Sequence, residues 1–284
     1  MKILRTRFEA QSFAKSAKSP IVLVPTMGAL HDGHLSLIKQ AKSHNGTVVA
    51  SIFVNPMQFN DPKDLAKYPR NEELDLALIK PFNVDAVFAP PLEEIYSKDF
   101  SSKVSVGDLT TMWEGSSRPG HFDGVATVVN ILFNCVRPDI AIFGEKDFQQ
   151  LAVIRKMVSD LGQSVKIESA KLIRDSDGLA LSSRNILLSN EARKAALSIS
   201  RGLRKAVESF NDGEARATIL IDILKSEIEN AGTYAALSGL TKLDYVSVVS
   251  PITLMPVNQA STCDRILVAA FFDGIRLIDN IECF

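Results

Sequence analysis

From residue 21 to residue 173 the chain switches repeatedly between short apolar runs and stretches with apolar residues at helical spacing. Ile21 to Val24, Thr47 to Val54, Asp85 to Ala89, Asp139 to Phe143 and Val165 to Ile173 read as strands. Between them, Leu35, Leu37, Ile38 and Ala41 repeat along one helix face. Gly124 to Val136 reads as an apolar helix stopped by Arg137-Pro138, and a helical pattern runs from about Phe148 to Leu161. Such alternation predicts an α/β fold, a parallel sheet flanked by helices, with ligands bound beyond the carboxyl ends of the strands. The stretch from Asn55 to Arg70 carries three prolines and reads as a functional loop.

From Ser189 the character changes. Two helical stretches, about Glu191 to Phe210 and Ala215 to Ala231, are separated by Asn211-Asp-Gly. Strands follow near Leu243 to Val249, Arg265 to Phe272 and Ile275 to Ile278, with Asp273-Gly274 marking a hairpin turn. This tail predicts a smaller α+β domain.

Composition narrows the class. The chain has 284 residues, 46% hydrophobic and 23% charged, which fits a globular protein of two compact domains, or one large core with an appendage, and excludes global disorder. A net charge of −1 argues against nucleic acid as the main partner. Three scattered cysteines, Cys135, Cys263 and Cys283, indicate neither a disulfide framework nor a metal cluster. The first residues lack the apolar core of a signal peptide and no run reaches membrane-spanning length, so no membrane partner is expected and the cytoplasm is the expected location.

The chemistry concentrates where strands end. The run Ile21 to Val24 leads through Pro25 and Gly28 into a turn with His31 and His34, and a helix begins there. A helix N-terminus offers unpaired N–H groups and partial positive charge, and residues three apart on its first turn face the same way. Two of the four histidines stand in this one turn. A surface turn without function is the bland alternative, and zinc is disfavoured because no further ligands lie nearby. The pattern points to a phosphate-handling site.

After the second strand comes Asn55-Pro-Met-Gln58, with amides suited to hydroxyls and carboxylates. After the fourth comes Gly144-Glu145-Lys146-Asp147-Phe-Gln-Gln150, where Gly144 permits close backbone approach and Lys146 is a point charge for phosphate. A solvated helix start is the plain alternative for that run. Ser182-Ser183-Arg184 supplies two hydroxyls and a cation, though such sequences also cap helices. Arg118-Pro-Gly-His121-Phe-Asp-Gly124 is a compact polar turn to which chemistry alone assigns no role.

Together these residues resemble the nucleotidyltransferase superfamily with its HxGH motif and late Ser-Ser-Arg loop. Four blocks in order, Pro25 to His34, Ser51 to Phe59, Phe143 to Gln150 and Asp177 to Asn185, are similar to the pantothenate synthetase family, and the match extends to Leu277-Ile-Asp-Asn280. The resemblance implies a Rossmann-like domain over 1–173, with helices on both faces of its sheet, that binds ATP and pantoate. It implies a C-terminal α+β lid over 174–284. ATP would be held by Met27, Gly28, Ala29, Leu30, His31, Asp32, Gly33 and His34, by Gly144, Glu145, Lys146 and Asp147, and by Ile173, Leu181, Ser182, Ser183 and Arg184. Gln58 and Gln150 would hold pantoate and β-alanine. His31, His34, Lys146 and Arg184 would act in catalysis, with Mg²⁺ on the phosphates neutralising charge as pantoate's carboxylate attacks ATP. A homodimer is also implied, to which Thr47 to Val54 could contribute.

Two rivals stand beside this reading. A nucleotidyl transferase forming a dinucleotide or CDP-type product is disfavoured by the Gln58 and Gln150 blocks. A non-catalytic nucleotide sensor is disfavoured by the intact His34, Lys146 and Arg184.

Overall fold

The computed structural model describes residues 1–233 and 241–284. These residues form two compact units, one of 1–145 and 149–171, the other of 146–148 and 172–284.

The first unit is built on six parallel strands: β1 (Lys2–Leu4), β2 (Ile21–Thr26), β3 (Thr47–Ile52), β4 (Ala86–Phe88), β5 (Ile140–Gly144) and β6 (Lys166–Ala170). Their order across the sheet is β1-β4-β3-β2-β5-β6. The helices are α1 (Arg7–Ser16), α2 (Asp32–Ser43), α3 (Pro62–Lys67), α4 (Glu72–Ile79), α5 (Leu92–Ile95), α6 (Glu114–Ser117), α7 (His121–Val136) and α8 (Phe148–Asp160). Side chains alternate across a strand. Val22, Val24, Val48, Ala50, Val87 and Ile142 therefore share one face, where they pack with Leu37, Ile38 and Ala41 of α2 and Ile79 of α4. Leu23, Val49, Phe88 and Ala141 point to the opposite face and are equally buried.

The strand order reverses between β2 and β5, because the chain leaves β2 toward β3 on one side and later returns to β5 on the other. Loops at the carboxyl ends of such neighbours part and leave a crevice. The loop after β2 lies at that reversal.

The second unit packs α9 (Asn190–Asn211) and α10 (Ala217–Thr233) on an antiparallel sheet of β7 (Thr241–Val249), β8 (Arg265–Phe272) and β9 (Ile275–Glu282). Ile266, Val268, Ala270 and Phe272 of β8 alternate into a core with Ile199, Leu203, Leu220 and Leu224. The hairpin between β8 and β9 turns on Asp273 and Gly274, both at positive φ.

Several expectations change. Asn55 to Arg70 is not an open loop: Pro56–Gln58 forms a 3₁₀ turn capped by Asn55, and α3 is capped by Asp61, each with proline in the first turn. The helix expected from Gly124 starts a turn earlier at His121, after Gly120 turns the chain at φ +81°. Within Thr47 to Val54, the strand β3 is paired on both sides by β2 and β4, Thr47 to Ser51 are buried, and Ile52 and Val54 are half-buried. The β1–α1 start escaped the periodicity because β1 has three residues, although Thr6 and Glu9 form a capping box that the sequence displays.

Gly202 lets α9 and α10 approach, since a Cβ there would lie 2.5 Å from Leu224 Cδ1 and 3.2 Å from Leu224 Cα. Gly202→Val is expected to destabilise the protein by about 1–3 kcal/mol through overpacking. Urea unfolding of the variant measures it.

Candidate active site

β2 ends at Thr26, and the turn into α2 begins with Gly28 and Ala29, at φ +77° and +51°. A Cβ on Gly28 would sit 2.7 Å from Asp75 Oδ2 and 3.2 Å from Ile52 Cγ2, so both conformation and space demand glycine. Asp75, on α4 and 2% exposed, accepts from Ala29 N–H at 3.0 Å and Leu30 N–H at 2.8 Å. Thr26 Oγ1 accepts from Gly28 N–H at 3.2 Å and donates to Ser51 O at 2.7 Å. The turn is held from two sides.

His31 is the N-cap of α2, and its Nδ1 accepts from Gly33 N–H at 3.2 Å; His34 Nδ1 accepts from His31 N–H at 3.3 Å. This is a capping box made of imidazoles, with ring centroids 4.1 Å apart. A nitrogen that accepts a backbone N–H carries no proton, so each neutral ring bears its proton on Nε2. Both rings are therefore hydrogen-bond donors at Nε2. Protonating Nδ1 would set N–H against N–H and break the cap.

Gln58, 8% exposed, is held at both ends: its Oε1 accepts from Asn55 Nδ2 at 3.1 Å and its Nε2 approaches Met27 Sδ at 2.8 Å. Asn55 also accepts at Oδ1 from the Tyr96 hydroxyl at 2.7 Å. Burial pushes the Tyr96 phenol well above its ordinary range, so it stays a donor. The polar turn from Arg118 to Gly124 supports this loop. His121 Nδ1 donates to Gln58 O at 2.7 Å, and Arg118 Nη2 donates to the same carbonyl at 3.1 Å. Gly124 lets α7 lie against the loop, because a Cβ would meet Met57 O at 2.4 Å.

After β5, a Cβ on Gly144 would meet nothing closer than Leu37 Cδ1 at 4.0 Å, so packing within the protein does not require glycine there. Glu145 Oε1 accepts from Ser169 Oγ at 2.9 Å. Of the two adjacent glutamines, Gln149 is buried and committed: it accepts from Glu114 N–H and donates to Leu109 O and Met112 O. Gln150, beside it, is half-buried.

In the second unit, Lys146 Nζ lies 3.8 Å from Asp147 Oδ1. Ile173 and Leu181 face each other in a short hairpin, with Leu181 N–H donating to Ile173 O at 3.0 Å and Gly178 turning at φ +97°. Arg193 braces that hairpin through Asp175 and Asp177. Ser182 Oγ then accepts from Arg184 N–H at 3.2 Å and caps the 3₁₀ turn Ser183–Leu187. The predicted residues thus divide. Met27 to His34, Gln58, Gly144, Glu145 and Gln150 belong to one unit, and Lys146, Asp147, Ile173 and Leu181 to Arg184 belong to the other.

A family model described as pantoate-beta-alanine ligase matches residues 2–282. The chain belongs to the pantoate-beta-alanine ligase family. It is 46% identical over 282 residues to the pantothenate synthetase of Cereibacter sphaeroides, covering 98% of each chain. It superposes on the crystal structure of pantothenate synthetase from Thermus thermophilus with a TM-score of 0.92 at 42% identity, each chain covered completely. A pantoate-beta-alanine ligase from Francisella tularensis, complexed with beta-gamma ATP and beta-alanine, matches at 34% identity and a TM-score of 0.80, over 100% of this chain and 98% of that one.

Asp75 and Tyr96 were not singled out from the sequence, Asn55 was named for its amide, and His121 was named in a turn without a role. Asp75 left one signal: it shares a helix stripe with Ile79, where an unpaired acid would be costly. Asp75→Asn turns one acceptor into a donor facing a backbone N–H. We expect a loss of about 1–3 kcal/mol in urea unfolding, together with a fall of roughly tenfold or more in ATP-dependent pyrophosphate release. An unchanged midpoint and rate would mean that the turn holds itself.

Proposed function

We propose that the turn after β2, the Gln58 loop and the cationic segments divide the work of an ATP-dependent condensation of pantoate with β-alanine. The observation that carries this reading is the histidine-capped N-terminus of α2 beside the point where the sheet order reverses. A triphosphate there meets the positive end of a helix and two Nε2 donors. Gly144 supports the same reading, since its open surroundings leave room for a ligand against the backbone.

The reaction runs in two steps. Pantoate's carboxylate oxygen attacks the α-phosphorus of ATP, the bond to pyrophosphate breaks, and pantoyl adenylate forms. The amine of β-alanine then attacks the pantoyl carbonyl carbon, AMP leaves with its bonding electrons, and the nitrogen loses a proton to give the amide. The first step joins an anion to a polyanion, so catalysis is mainly placement and charge compensation, with no protein nucleophile. Lys146 and Arg184 supply the full charges, and His31 and His34 the directed donors. Met27 to Gly33, Glu145, Asp147, Ile173, Leu181, Ser182 and Ser183 complete the ATP contacts, and Gln58 and Gln150 hold pantoate. Residues 174–284 would act as a lid carrying Arg184 and shielding the mixed anhydride from water.

Magnesium enters with ATP. Among the described residues no three His, Cys, Asp or Glu side chains gather to hold an ion. Asp75 is committed to backbone amides and Glu72 to Arg5. The ion would supply neutralisation of the triphosphate. We also propose a cytoplasmic homodimer; three unpaired cysteines suit a reducing compartment, and light scattering in solution tests the dimer.

Omitting each of ATP, pantoate and β-alanine in turn tests the whole scheme: pyrophosphate should appear with ATP and pantoate alone, and AMP release should need all three. His34→Ala or Lys146→Ala should slow adenylate formation by about 10²–10³-fold. Near-normal adenylation in both would end this assignment.

A second comparison separates substrates. Gln58→Ala or Gln150→Ala should raise the KM for pantoate far more than that for ATP, read from initial rates with each substrate varied. A change confined to ATP would move these amides to the nucleotide side.

A further inference from the structure

The lysine at the end of β5 is set by residues far away in sequence. Asn280, on β9 and 4% exposed, donates from Nδ2 to the Lys146 carbonyl at 3.0 Å. Its Oδ1 accepts from Arg265 Nη1 at 2.7 Å. A guanidinium only donates and a carbonyl only accepts, so the amide has one orientation that satisfies both. Arg265, itself buried, lies with its guanidinium carbon 4.1 Å from the centroid of the Phe148 ring and pairs with Glu282 at 3.1 Å.

The segment 146–148 is thus gripped twice, at the carbonyl of Lys146 and at the ring of Phe148, by neighbouring residues of β8 and β9. Behind the grip, Arg174 makes a bidentate pair with buried Asp279 at 2.6 and 3.0 Å, and Asp279 Oδ1 accepts from Asn280 N–H at 2.7 Å. That pair fixes the backbone from which Asn280 reaches. The nearby Lys146 charge also favours the ionised form of Asp279, against the opposing and larger effect of burial.

We infer that Asn280 is a positioning residue for adenylation, fixing the Lys146 backbone so that the ammonium is presented to the phosphates in one place. The inference rests on the role assigned to Lys146 above. Asn280 touches no substrate in this scheme and acts only through that lysine. Arg265 sets the amide of Asn280 and also lies over the Phe148 ring.

Asn280→Asp is the informative variant. It keeps size and the Arg265 partner, but it faces the Lys146 carbonyl with an acceptor. Adenylate formation, read as pyrophosphate release with ATP and pantoate, should fall on the order of 10–100-fold, the range expected of a misplaced group. KM for pantoate should stay within about twofold, since that site is untouched. In a Lys146→Ala background the same change should cost nothing further, because a residue acting only through Lys146 has nothing left to place. Asn280→Ala, which removes the donor without adding charge, should behave alike, and thermal unfolding of each variant identifies any that do not fold.

A normal kcat in folded Asn280→Asp and Asn280→Ala, beside a crippled Lys146→Ala, would overturn the inference and leave the lysine's role intact. An equal further loss in the Lys146→Ala background would overturn it too. Near-normal turnover of Lys146→Ala itself would remove the role of the lysine, and this inference with it.

Discussion

A chain leaving β2 must reverse within a few residues and still start a capped helix. The solution is two successive left-handed residues, Gly28 and Ala29, whose turn is held by a carboxylate from another helix. A positive φ at alanine is unfavourable by itself. Asp75 offsets that cost with a charge-assisted hydrogen bond to Ala29 and a second to Leu30. Because the turn is fixed, His31 arrives as a cap, His34 arrives three residues later, and both rings settle into a single tautomer. The orientation of both rings therefore derives from a constraint on backbone conformation.

The same economy recurs around Gln58. Its carbonyl collects His121 and Arg118, and its side chain leans on Asn55, which Tyr96 holds in turn. Each partner can play one part only: the phenol donates, the guanidinium donates and the carbonyl accepts. A network with one consistent assignment of donors leaves little freedom to the loop that carries it. Rigidity here comes from polar groups on a loop, where apolar packing is thin.

The parallel sheet was legible because each buried strand is a compact apolar run and each helix shows its own period. Ile21 to Val24 and Arg265 to Phe272 announced themselves for that reason. The histidine turn, the Gly144–Gln150 run and Ser182–Arg184 stood out as polar runs at strand ends and in a loop, and the order of the four blocks made the family plain. What the sequence hides is commitment. Gln149 and Gln150 are the same residue type side by side, yet Gln149 engages its amide with Glu114, Leu109 and Met112. Asp75 and Glu72 look alike in an acidic stretch, yet one holds backbone amides and the other pairs with Arg5. Partners brought together by the fold, such as Arg118 with Gln58, leave no local pattern at all.

The bond from Asn280 to the carbonyl of Lys146 joins residues 134 positions apart. Synthesis runs from the N-terminus, so the six-stranded sheet can close around its histidine turn while β9 is still unmade. A growing chain at that stage could bind nucleotide without having its lysine seated. Competence to activate an acid would then arrive late and all at once, when the last strand pairs. Such ordering would spare the cell a half-built catalyst that consumes ATP on an intermediate it cannot protect.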